Sequence, residues 1–479
     1  MLQRNELQRL HRRTARIALY GSLLLVGLAA VLLFSITRAA FSRDRVDLEK
    51  SQRWADVDWE SLSEVRLLQD YLKVDTNADD GDEYAGALYL AEHLEAAGLE
   101  VHIERLGERH ANLWAILEGE EPEAVVLHNH IDVEPIFHPE LWTVPPFGGT
   151  VDPPWIYGRG VFDMKSLAIA QLVSVMELAA RGEKPRRSVI FLATGSEERG
   201  SDLGATWVLR EHPEIAERAW VLLTEGGIVE AIDADQGKYW GTEFGQKQFV
   251  DIEICSHSKQ SLVELRKRIA RLRKQLGDLR VLPEVEEMMR SYAETRDRED
   301  LREGLSDPHQ LIYDPAAFKA MPGYLEALFR SEAHPFPVKE KPGGGYHMIV
   351  KLHVLPGDDP QEVRRQLLPD WMLWGVDWAL VERPASAHST PTSHPAFQEI
   401  QRLLGERYPK IPSGPFFLPW TATDARFFRR AGISTFGFSP FFILTPDTLT
   451  GANPNERIAL PGYVEGVELY SELVERLVR

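Results

Sequence analysis

Cysteine is almost absent: Cys255 is the only one in 479 residues. No intrachain disulfide can form, and no cysteine-rich zinc site can be built. Any metal this chain holds must rest on histidine, aspartate and glutamate. A surplus of basic charge is lacking as well, since the formal net charge is −19. That excludes nucleic acid as a partner, because phosphate binding needs clustered Lys and Arg. Internal repeats and low-complexity tracts are also missing, so nothing suggests a solenoid or a disordered array.

What is present is an ordinary globular composition, 44% hydrophobic and 27% charged. The length exceeds what one hydrophobic core usually organises, so about two to three domains are expected. Charge is missing locally from Ile17 to Ile36, a run of twenty positions. A helix of that length crosses a bilayer. Five arginines (Arg4, Arg9, Arg12, Arg13 and Arg16) stand before it against one acid, Glu6. By the positive-inside rule the amino terminus stays cytoplasmic and the rest lies outside. A cleaved signal peptide competes with this reading, but the run is long and Arg38-Ala39-Ala40 is a poor cleavage site. The expectation is a single-pass membrane protein: a basic tail over 1–16, a signal anchor over 17–37 and a linker over 38–58.

From residue 59 helical and strand patterns alternate. Helices are expected over Ser61–Leu72, Glu83–Ala97, Leu167–Ala180 and Leu203–Arg210, with strands over Leu99–Arg105, Ala111–Leu117, Ser188–Ala193 and Trp220–Thr224. This rhythm predicts an α/β fold with a mostly parallel sheet flanked by helices. The acidic loop Asp75 to Glu83 reads as a solvated turn, because it lacks regular calcium-ligand spacing. Character changes near Gly245. A small α+β unit is expected over 245–384, with strands Gln248–Cys255, Tyr346–Leu355 and Trp371–Val381 and helices Lys259–Leu276 and Gln361–Leu368. The α/β pattern resumes over 385–479, closing with a helix over Pro461–Val478.

The chemistry centres on Val125-Val-Leu-His-Asn-His130-Ile-Asp132. An apolar run ending in His-x-Asp reads as a buried strand that delivers two side chains to a sheet edge. His130 would bind a metal and Asp132 would hold its ring, the usual support for a ligating histidine. The alternative is a core histidine beside a turn aspartate. Asp163 follows the glycines of Gly158-Arg-Gly160, Glu197 and Glu198 follow the run Val189 to Thr194, and Glu225 follows Trp220 to Thr224. Taken singly these are a helix cap, a surface charge pair and an acid in a glycine turn. Taken together, each sits at the carboxyl end of an expected strand, where open α/β sheets bind ligands. So many acids on one edge repel unless a cation sits among them.

These stretches, with Trp142, Pro146-Phe147 and Met164-Lys165, resemble the M20 metallopeptidase family from about Trp59 to the end. The anchor adds a resemblance to its carboxypeptidase S and N-acyl-amino-acid hydrolase branch. The resemblance implies a zinc aminopeptidase-like catalytic domain over 59–244 and 385–479, with 245–384 as an inserted lid. It implies His130 and Glu225 on one zinc, Glu198 on another, Asp163 between them, Asp132 orienting His130 and Glu197 as general base. It also implies that His257 and Arg426 meet substrate, a small peptide or N-acyl amino acid cleaved beside a free carboxylate, and that homodimers form through the lid. Departures are concentrated in the second half. The family's final metal-binding histidine is absent from Thr450-Gly-Ala-Asn453-Pro-Asn-Glu456, and the last histidine in the chain is His394. Asn453 is the oxygen donor left as a weak substitute, so the second zinc position is the weaker one. Cys255-Ser256 replaces a glycine pair, Thr421-Ala-Thr423 replaces Gly-Gly-Thr, and His353 stands in the place of an arginine. The competing reading is a catalytically silent binding protein on the same scaffold.

Overall fold

Two apolar strands buried on both faces carry the architecture. The computed structural model describes Trp54 and residues 56–233, 236–272, 279–296, 299–321, 323–381, 389–444 and 453–479. The expected tail and anchor, 1–37, lie outside the described residues, as does most of the linker. Among the described residues no helix is long and apolar enough to cross a membrane.

The strands, in chain order, are β1 (Val101–Leu106), β2 (His110–Leu117), β3 (Glu121–His130), β4 (Thr150–Asp152), β5 (Trp155–Tyr157), β6 (Arg187–Thr194), β7 (Ala219–Thr224), β8 (Ile228–Asp233) and β9 (Gln236–Gln246). They continue with β10 (Gln248–Ser256), β11 (Glu332–Pro335), β12 (Lys339–Glu340), β13 (Tyr346–Val354), β14 (Asp377–Leu380), β15 (Ser413–Leu418), β16 (Thr435–Gly437), β17 (Phe442–Leu444) and β18 (Arg457–Ala459). The main sheet has ten strands in the order β1-β2-β6-β3-β7-β16-β9-β8-β17, with β15 paired to β9. Its centre, β6-β3-β7-β16, is parallel.

Val126, Ile190, Leu192 and Leu222 pack on one face against Ala205, Val208 and Phe428. Side chains one residue along point the other way, and there Val125, Leu127, Val189 and Phe191 are buried too. Helix Ser166–Ala180 packs with the closing helix Leu460–Leu477, joined by Gln171 Nε2 donating to Tyr470 Oη at 3.1 Å. Each fully buried Val, Leu or Phe contributes roughly 1.5–3 kcal/mol. A one-residue slip in β3 would put Glu123 on a buried face, so the register is firmly set.

A second sheet, β11-β13-β10-β14 with β12, carries helices Lys259–Leu272 and Pro360–Leu367 over Val250, Ile252, Ile254, Val350 and Leu352. Its strands and both helices fall within residues 245–384. Within the same span, helix Pro283–Ala293 lies on the main sheet instead, where Phe417 N–H of β15 donates to Met288 Sδ and Tyr292 stacks edge-on to Tyr239 of β9. The strand expected over Trp371–Val381 is shorter than read. A 3-10 turn occupies Asp370–Met372, and Gly375 at φ 80° breaks the chain before β14. Strands β8, β9 and β15 have no counterpart in the sequence reading. β9 is buried along nearly its whole length, which erases the period-two signal.

Candidate metal centre

Because β3, β6 and β7 run parallel, their carboxyl ends share one rim. His130 closes β3 and pairs in register with Thr194, the last residue of β6. Glu197 and Glu198 follow β6, and Glu225 is the first residue after β7. Asp163 arrives from another direction, in a non-helical break ahead of helix Ser166–Ala180. Gly160, at φ 82°, makes that turn in a region side chains rarely adopt.

The predicted ligands meet. His130 Nε2 is 3.0 Å from Asp163 Oδ1 and 3.8 Å from Glu225 Oε1. One ligand atom from each of His130, Asp163 and Glu225 lies within 4.8 Å of the others, and the same holds for His130, Glu197 and Glu198. Glu198 Oε1 is buried with no hydrogen-bond partner. An orphaned buried carboxylate oxygen facing such neighbours fits a cation.

Asp132 is placed differently from its expected role. His130 Nδ1 lies 2.8 Å from the backbone carbonyl of Asp132, whereas its distance to Asp132 Oδ1 is 3.6 Å. The carbonyl is thus the nearer orienting group. The Asp132 carboxylate instead accepts the N–H groups of Glu197 and Glu198. Sequence spacing shows which residues share a strand face, but not which atom makes the bond.

Burial and crowding set the protonation of these side chains. Burial and the charge of Asp163 push Glu198 up to about 11 and Glu225 up to about 7. Burial, reinforced by Asp424, raises Glu197 well above the ordinary carboxylate value. For His130 burial disfavours the charge, but the close carboxylates of Asp132, Asp163 and Glu225 outweigh it and carry the imidazole well upward. Burial likewise acts against ionised Asp163, and the hydrogen bond from His130 holds it below its ordinary value. This pattern belongs to a rim with more negative charge than its own cations neutralise.

Several supports were invisible as functional residues in the sequence. Glu456 is buried and accepts from Arg159 Nη1 at 2.6 Å and from the N–H groups of Gly160 and Phe162 at 3.2 and 2.8 Å. It thereby fixes the turn that carries Asp163; its signal was the Asn-Glu pair near the end of the chain. Lys165 is wholly buried and donates to the carbonyls of Tyr71 and Val74 at 3.0 and 2.6 Å. His128, one turn of the pleat behind His130, bridges Thr194 and Thr224 at 3.0 and 2.9 Å. Gly437 lets β16 approach, since a Cβ there would lie 2.2 Å from the carbonyl oxygen of Glu225.

The expected substrate residues divide. Arg426 is half-buried, donates to Thr423 O at 3.1 Å, and its charge acts on Glu197. His257 is exposed just beyond β10 and makes no hydrogen bond or ion pair with the site. Asn453 is exposed, and Thr450 lies outside the described residues.

Comparison with known proteins agrees with this geometry. The model of peptidase family M20/M25/M40 matches residues 126–476. A probable carboxypeptidase S-like 2 of Dictyostelium discoideum is 31% identical over 195 residues, 38% of this chain and 37% of that protein. Aminoacylase-1A of Rattus norvegicus is 24% identical over 431 residues, 86% of this chain and 95% of that protein. The solved structure of an M20 family metallo-carboxypeptidase from Sulfolobus solfataricus superposes with a TM-score of 0.66 at 18% identity, covering 86% of this chain and 99% of the other.

Proposed function

The chain belongs to peptidase family M20/M25/M40, and on that premise we propose that it hydrolyses a peptide or N-acyl amide bond next to a free carboxylate. The observation that carries this reading is the meeting of His130, Asp163 and Glu225 within 4.8 Å, with Glu197 and Glu198 beside them.

Zinc is the ion assigned here. Two or three nitrogen and oxygen ligands with room for water suit it, and the set contains no thiolate. When bound, such an ion lowers the pKa of water and polarises a carbonyl. His130, Asp163 and Glu225 would hold the first ion, and Glu198, with Asp163 shared, the second. Asn453 is the oxygen donor proposed as a weak substitute for the missing histidine, so the first position would be the stronger one. The chain's own residues supply the proton transfers. Glu197, held by its N–H on Asp132, accepts the proton of the attacking water and delivers it to the leaving nitrogen. Arg426 would receive the substrate carboxylate, since a guanidinium pairs with it in two parallel bonds.

The test is Glu197→Gln in the intact chain, assayed on dipeptides and N-acyl amino acids. The expected result is a fall in kcat of about 10²–10⁴-fold with metal content unchanged. A wild-type protein that binds these ligands and turns none over would instead support the silent binding protein.

Two further parts belong to this proposal. Residues 17–37 would anchor the enzyme with its catalytic part outside the cytoplasm, and extraction by alkaline carbonate would argue against that. A second copy would join through the smaller sheet, and sedimentation of the detergent-solubilised chain checks it.

A further inference from the structure

We propose that Glu332, His334 and His353 form a separate site for a zinc-like divalent cation where the smaller sheet meets the main one. Their ligand atoms all lie within 4.8 Å of one another. The strand geometry explains why. Glu332 and His334 are two residues apart on β11 and share a face, and His353 of β13 pairs directly across from Glu332.

The donor set is two imidazoles and a carboxylate, with His334 Nε2 3.6 Å from Glu332 Oε2. Ligand atoms about 2.0–2.1 Å from a tetrahedral zinc lie roughly 3.4 Å apart, so little movement is needed. The two rings stack with centroids 4.3 Å apart. His353 is 7% exposed. Its Nδ1, like Nε2 of His334, is buried without a hydrogen-bond partner. A buried orphan nitrogen in a native fold calls for a partner, and two beside one carboxylate point to a shared one.

Lys247 is the competing cation, and its placement leaves room. It lies between β9 and β10, and its Nζ donates to Arg330 O at 2.8 Å and to Glu332 Oε2 at 3.1 Å. Trp420, from the loop after β15, donates to the same oxygen at 3.2 Å. Both bonds fall on Oε2, the oxygen nearest His334, and neither engages the second oxygen of the carboxylate. Since Lys247 and Trp420 come from the main-sheet side, an ion here would fasten the smaller sheet at its joint.

Cobalt is the probe, because its visible bands report tetrahedral ligation. In the full chain carrying His130→Ala and Asp163→Asn, the catalytic site loses its only histidine and the carboxylate assigned to both positions, with Glu198 and Glu225 left alone. One Co²⁺ per chain should still be retained after gel filtration, with visible d–d absorption, and adding His353→Gln should abolish it. No cobalt in the first protein overturns the proposal, as does cobalt that survives His353→Gln. A milder variant guards against misfolding: His334→Gln alone, with near-ultraviolet circular dichroism like wild type, should bind one zinc fewer per chain. Equal zinc content in that variant also overturns the proposal. Neither arm depends on hydrolysis, so failure of the proposed activity leaves the result readable.

Discussion

Asp132 accepts the backbone N–H groups of Glu197 and Glu198 at 3.0 and 2.9 Å. One wholly buried carboxylate thereby ties the loop after β6 to the loop after β3, while its own carbonyl holds the ring of His130. Asp132 acts through both neighbours and is a positioning residue for the metal ligand and for the base.

Asp132→Asn should therefore disturb both partners. The carboxamide turns one acceptor into a donor aimed at an N–H group, which leaves a buried donor unsatisfied. Activity and metal affinity should each fall about 10–100-fold. Measuring kcat alongside zinc affinity checks this, and loss of affinity with full kcat at saturating zinc would confine the Asp132 carboxylate to holding the ligand Glu198.

Binding of the catalytic ion should release protons at pH 7. In the metal-free protein Glu198 is pushed up to about 11 and is protonated there, and Glu225, near 7, is half so. Ligation needs the ionised forms. Calorimetric titration with Zn²⁺ in two buffers of different ionisation enthalpy should give different heats. Equal heats would show that the acids are already ionised. Stripping the ion with a chelator should abolish hydrolysis, and added zinc should restore it.

Glu456→Ala should destabilise the fold by about 3–5 kcal/mol, because it leaves Arg159 buried without its carboxylate. The same change frees the N–H groups of Gly160 and Phe162 and so loosens the turn holding Asp163. Urea unfolding measures the first effect. Weakened zinc binding under folding conditions measures the second.

Acid should destabilise the protein partly through His128. Burial holds its imidazole down at about 3, against about 6.5 when unfolded. Between those values the unfolded chain binds the extra proton, so stability falls as pH drops from about 6.5 towards 3, by up to about 1.4 kcal/mol per unit. The slope of unfolding free energy against pH should flatten over that window in His128→Asn. An unchanged slope would assign the acid sensitivity to other groups.

Much of the site was legible because strand ends advertise themselves. The runs closing at His130, Thr194 and Thr224 are mostly apolar, and each ends in a chelating side chain or is followed by one within a few residues. Parallel pairing then needs no further information to bring those ends to one rim. Glu456 and Lys165 were not legible as supports, because their partners are backbone groups up to about three hundred residues away in the chain. The pairing of Glu332 and His334 with His353 was equally hidden, since it depends on the register of β11 on β13.

By itself the sequence determined the α/β character, the strand that presents His130, and the set of acids able to surround a cation. Hydrophobic pattern and residue type are local properties, and they survive without knowledge of neighbours. Only the tertiary structure decided that the carbonyl of Asp132 is the nearer group to His130 while its carboxylate caps the glutamate loop, and that three residues of the smaller sheet converge at a joint. Hydrogen bonds act over about 3 Å, and which atoms come that close depends on how distant segments pack.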